Sequence, residues 1–161
     1  MKLNRKTGLQ SAVIFVMILA FVHCGPAPHA AKLPVKTVIS SPNAPKAIGP
    51  YSQAIMVGNT LYCSGQIAIN PQTGELVTGS IEAETRQVLE NLKAVLSEAG
   101  FDFDDVVRAT VFMADINNYK RINQVYAEYF NEKPPARAAV QVAYLPKLVN
   151  VEISCIAVKS E

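Results

Sequence analysis

Along residues 81–99 apolar side chains recur at three- and four-residue spacing, as Val88, Leu89, Leu92, Val95, Leu96 and Ala99. That period belongs to a helix that buries one face against something broader than itself. Ser80 stands where a hydroxyl can accept from the free N–H groups of the first turn, Glu82 and Glu84 suit its positive end, and Gly100 stops it. A second such stretch, about 118–130, is expected to turn Tyr119, Ile122, Val125, Tyr126 and Tyr129 inward.

The remaining patterned segments alternate at period two, the mark of strands. Residues 32–50 are rich in Pro, Ser and Ala and read as a lead-in with a weak strand at 35–39. Two short apolar runs, 54–57 and 60–64, flank Gly58-Asn59 as a hairpin, and 70–75 is a turn cluster. Further strands are expected at 106–113, 137–144 and 151–158. The order predicts an α+β fold, a mixed sheet of five or six strands with two helices on one face.

Two helices leave the other face of such a sheet uncovered. Alternation groups Val107, Ala109, Val111 and Met113 on one side of their strand, and Arg108, Thr110 and Phe112 on the other. In the last two strands we expect Val140, Val142, Ile153 and Cys155 to face the helices. Arg137, Ala139 and Gln141 would then share the open face with Glu152, Ser154 and Ile156. A face so mixed in small, apolar and polar groups suits contact with further copies of the chain.

Arg137, straight after Pro134-Pro135-Ala136, opens its strand, and Glu152 is the one acid in an otherwise apolar ladder. A guanidinium stays charged at any working pH and offers a planar fork of donors that matches a carboxylate. The pair is therefore a candidate site for a small organic acid. A plain salt bridge is the alternative for the arginine.

Composition narrows the partners. Lys2, Arg5 and Lys6, an apolar run from Ala12 to Val22, and small residues with prolines after it read as an export signal over 1–31, with the domain at 32–161. The expectation is a periplasmic or secreted protein. Cys24 offers a lipid anchor as the alternative, and a membrane partner only in that case. Without those three cations the domain carries 12 Lys and Arg against 13 Asp and Glu, so nothing favours nucleic acid. No CxxC pair is present and both histidines precede residue 32, which argues against a metal site. Cys63 and Cys155 are either buried thiols or a disulfide in an oxidising compartment, with burial favoured.

Several ordered blocks resemble the RidA/YjgF family of enamine/imine deaminases: residues 47–54, Ser64-Gly65-Gln66-Ile67, residues 110–115, Pro135-Ala136-Arg137 with 140–143, and Val151-Glu152-Ile153. The resemblance covers about 39–159. It implies a chorismate-mutase-like fold, a homotrimer with sites between subunits, no cofactor, and hydrolysis of 2-imino acids such as 2-iminobutanoate and 2-iminopropanoate to 2-oxo acids and ammonia. Arg137 matches the residue that grips the substrate carboxylate, and Glu152 the acid beside the attacking water. Tyr51, Ser64 and Asn123 match other pocket positions. Ala139 stands where the family often has Cys, so no thiol acts there, and the backbone of that position is what would meet substrate. An export signal is unusual among such proteins.

That chemistry suits the residues present. A protonated imine is already electrophilic, so its hydrolysis needs orientation, a directed water and proton transfers. A carboxylate-binding or chaperone-like module of the same fold is the runner-up, and an endoribonuclease the third reading.

Overall fold

In the computed structural model, which describes residues 33–160, the period-two segments pair into one six-stranded sheet. Its strands are β1 (Lys36–Ile39), β2 (Ala54–Val57), β3 (Thr60–Gln66), β4 (Val106–Met113), β5 (Ala136–Gln141) and β6 (Val151–Val158), in the spatial order β1-β2-β3-β6-β4-β5. Every neighbouring pair is antiparallel except β4 and β5, which run parallel because a helix carries the chain back between them. The helices are α1 (Ile81–Glu98) and α2 (Tyr119–Tyr129). The expected export signal and Cys24 lie outside the described residues.

The helical period buries the stripe it promised. Val88, Leu89, Leu92, Val95 and Leu96 have no exposed surface and join Leu61, Ala109, Val111, Met113, Ile153 and Ala157 from the sheet in one core. Ser80 Oγ accepts from the Ala83 amide at 3.1 Å, and Gly100 ends α1 at φ +77, a left-handed conformation that glycine adopts without strain. α2 buries Ile122, Val125 and Tyr126 and is clasped to α1 by Arg121 on Glu82 (2.6 and 2.7 Å) and Tyr129 on Glu90 (2.7 Å). Tyr119 lies at the helix start and is 41% exposed, not turned inward as expected.

Two buried polar side chains tie loops to this core. Gln53 Nε2 donates to the carbonyls of Ser41 (3.2 Å), Ala44 (3.4 Å) and Pro45 (2.8 Å), while its Oε1 accepts from the Ser41 amide. Glu84 accepts from the backbone and side-chain nitrogens of Asn150 at 3.1 and 2.7 Å, and the Asn150 carbonyl accepts from Ala114 N at 3.0 Å. The start of β6 is thereby pinned to both α1 and β4.

Register overturns part of the expected sidedness. Arg137 pairs with Ala109, which pairs with Cys155, so Arg137, Ala139 and Gln141 occupy the helix-covered side with Ala109, Val111 and Met113. Val140 and Glu152 both pair with Phe112, and Val142 packs with Phe112 outside the main core, so the two valines belong to the open face. For β6 the expectation holds: Ile153 and Cys155 are buried beneath the helices and Glu152 is not. The inversion in β5 has a simple cause. This edge strand is rich in alanine and shows little burial contrast, and its alternation groups residues without saying which group faces in. In β4 a register shift between Val106 and Arg108 puts Val106 in the core and leaves Val107 49% exposed, against the expected grouping. β5 also ends at Gln141, earlier than expected.

Replacing Gln53 by Leu strands the groups it satisfies around Ser41 and Pro45, and is expected to cost about 3 kcal/mol in urea unfolding at fixed protein concentration.

A candidate active site in two halves

The first half forms on the open face where β3 departs from regular pairing. Between Cys63 and Gln66 the β3–β6 register shifts, and this irregularity sets Ser64 and Gly65 beside Glu152. Ile48, Tyr51, Ser64, Gly65, Ile67, Pro146 and Glu152 line a hollow of about 260 Å³. Ser64 Oγ donates to the Ser52 carbonyl at 2.7 Å, and Tyr51 Oη accepts from the Ile48 amide at 3.2 Å, so both side chains are fixed by local backbone.

Glu152 is half-buried there, and its carboxyl is pushed above the ordinary carboxylate range by burial alone. A carboxylate in such surroundings holds its proton to higher pH and is suited to exchange one. Gly65 makes room for it. A Cβ on Gly65 would stand 1.8 Å from Glu152 Oε1 and 2.7 Å from its Cδ.

The second half lies on the helix-covered side at the β5 edge. Asn123, Tyr126, Ala127, Phe130, Pro134, Pro135 and Arg137 line a hollow of about 430 Å³. The guanidinium sits 4.6 Å from the centroid of the Tyr126 ring and 5.8 Å from that of Tyr119, and Nη2 donates to Tyr119 Oη at 3.3 Å. Asn123 and, after it, the Arg137 cation hold the Tyr119 phenol below its usual range. No carboxylate among the described residues pairs with Arg137. Aromatic faces therefore support the cation and leave its fork available to an incoming anion. Ala139, two residues on, packs against the core.

Within one chain, then, Arg137 and Glu152 do not face a common cavity; they lie on opposite sides of the sheet. The structure groups Tyr51 and Ser64 with Glu152, and Asn123 with Arg137. Sequence reasoning overlooked Pro146, Ile48 and the supporting rings of Tyr119 and Tyr126. The two tyrosines were read only as inward-facing positions of a helix, and their polar surroundings depend on where β5 docks. Two larger hollows, of about 530 and 460 Å³, contain neither charged residue.

Residues 41–159 match the family described as Endoribonuclease L-PSP. The chain belongs to this family, as the resemblance to RidA/YjgF proteins implied. A RutC family protein of Pyrococcus horikoshii is 56% identical over 125 residues, covering 78% of this chain and 99% of the relative. The human 2-iminobutanoate/2-iminopropanoate deaminase is 48% identical over 125 residues, covering 78% of this chain and 91% of that protein. Among solved structures, Escherichia coli TdcF with bound serine shares 43% identity at a TM-score of 0.74, over 77% of this chain and 99% of its own. The mixed six-stranded sheet with two helices is the fold of these L-PSP proteins, as expected.

Gly65→Ala is expected to push the Glu152 carboxylate out toward solvent. Its titration, followed by carboxyl-carbon NMR, should return toward the ordinary value of 4.5.

Proposed function

We propose that this chain hydrolyses small 2-imino acids and their enamine tautomers to 2-oxo acids and ammonia. The site would be completed in a homotrimer, where the Arg137 hollow of one protomer meets the Glu152 hollow of its neighbour. The observation that carries the reading is the division itself. One hollow holds a cation with no anion, the other an acid raised by burial with no cation; Asn123 and Arg137 line the first, and Tyr51, Ser64 and Glu152 the second.

Three further facts support it. The open face exposes Val38, Tyr62 and Val140, more apolar surface than a sheet keeps in water without a partner. A relative covering the whole domain carries the name of an imine deaminase, and another, TdcF, holds serine, a small amino acid with the carboxylate such a site needs.

In the proposed mechanism Arg137 binds the substrate carboxylate through two N–H donors, with Asn123 and the Tyr119 hydroxyl beside it. Tyr51 and Ser64 shape the opposite wall. Glu152 takes a proton from water as its oxygen attacks the imine carbon, giving a carbinolamine. The proton passes to nitrogen, the C–N bond breaks as the carbinolamine hydroxyl gives its proton to Glu152, and that proton leaves with the ammonia, so the products are a 2-oxo acid and ammonium. One water is consumed and Glu152 ends as it began. Its raised pKa suits it both to receive and to return the proton.

Arg137→Ala and Glu152→Gln are each expected to lower kcat/KM by about 10²–10⁴-fold, measured with an amino-acid oxidase supplying the imine. If the site joins two copies, refolding the two inactive variants together restores some sites, since a site is whole when one copy supplies Arg137 and the other Glu152. Random mixing in equal amounts returns roughly one quarter of the wild-type rate. No recovery would refute the shared site. Stabilisation by 2-oxo acids without turnover by the wild-type protein would instead favour a binding module.

The pH dependence follows from Glu152. Its folded pKa is raised, so folding favours its protonated form, and that stability is present at low pH and lost as pH rises through the folded value. Glu152→Gln should therefore melt higher than wild type at neutral pH, the gap closing below pH about 4. Wild-type kcat/KM should rise with pH as Glu152 loses its proton.

The family's description supplies a second reading, RNA cleavage. Among the described residues there is no histidine to act as acid or base, and the domain's charges nearly cancel. Cleavage of RNA by purified protein, lost with Arg137→Ala, would favour that reading.

A further inference from the structure

Neither half-site uses the two cysteines of the domain, yet the fold sets them together. Cys63 on β3 and Cys155 on β6 are direct partners in the antiparallel ladder, on the same side of the sheet, and both are buried free thiols. Directly opposed residues of such a ladder lie about 4.5–5.5 Å apart at Cα, which falls within the roughly 4.4–6.8 Å that a disulfide spans. The ladder becomes irregular immediately after Cys63, so β3 has local freedom to adjust at that point.

We propose that Cys63 and Cys155 are a redox pair that closes to a cross-strand disulfide when the chain meets a disulfide-bearing oxidant. One cysteine, as thiolate, attacks the oxidant's S–S bond and forms a mixed disulfide, releasing one oxidant thiol. The second cysteine displaces the remaining half. Two S–H bonds are lost, one protein S–S bond forms, and the two protons and two electrons leave with the oxidant as a pair of thiols.

The fold also sets when this happens. Both cysteines are buried, and the neighbouring Cys63 thiol together with burial keeps the Cys155 thiol protonated far above its usual range, so an oxidant has poor access to the pair and Cys155 is a poor nucleophile. Closure therefore belongs to folding, or to transient opening of the sheet, rather than to the native state at rest. Once made, the bond would join the central strand β6 to β3 across most of the chain's length, which restricts the unfolded chain.

The test is to refold the protein in glutathione buffers of increasing oxidised-to-reduced ratio, alkylate after denaturation, and map peptides without reductant. The expected result is a mass loss of about 2 Da with no alkylation at either residue, and a peptide linking Cys63 to Cys155. Protein folded under reductant and then moved to the most oxidising buffer should form the link at least tenfold more slowly. Cys63→Ala and Cys155→Ala should each abolish it. Free thiols at the most oxidising ratio, glutathione adducts without the cross-link, or links through Cys24 alone would overturn the proposal.

Discussion

A sheet of six strands with two helices has one face sealed and one face bare, and the rest of the molecule follows from that imbalance. β4 carries Ala109, Val111 and Met113 into the core and turns Thr110 and Phe112 the other way, so every residue paired with it inherits a side. Through this strand Arg137 is assigned to the covered side and Glu152 to the open one. Opposite charges that attract at short range are instead separated by the thickness of a sheet. Each is then left to its own surroundings.

Those surroundings differ in kind. The arginine lies against tyrosine rings, which stabilise a cation without neutralising its fork, and its charge persists whatever the pH. The glutamate is treated by subtraction: water is removed and no cation is supplied, so its proton is held more tightly. Supporting residues act through backbone. Glu84 grips Asn150 and so fixes the strand that carries Glu152, while Gly65 contributes by having no side chain where the carboxylate rests. Glu84, a buried acid bonded to the neutral donors of Asn150, thus sets the position of Glu152 from a helix residue 66 positions away from that asparagine in sequence.

Much of this was legible beforehand. Ser80, the apolar stripe of α1 and the Gly58-Asn59 turn each carry a local physical signal, and each stands where that signal put it. The ordered blocks of the L-PSP family were likewise readable and contain Tyr51, Ser64, Arg137 and Glu152, while the wider resemblance adds Asn123 and Ala139. What misled was β5. Its alanines lie the same way in either phase, so the alternation Arg137, Ala139, Gln141 says which residues travel together and nothing about direction. Val140 looked like core by its chemistry, yet it lies exposed on the face no helix covers.

The chain's own order of residues thus determined the elements, their caps and turns, and, apart from the shifted start of β4, which side chains share a face, because these depend on bonds and contacts between near neighbours. Tertiary structure alone decided which face is covered, that the cation and the acid part company across the sheet, and that Cys63 meets Cys155. Those outcomes depend on strand register and helix docking between segments far apart in the chain, where no local period carries information.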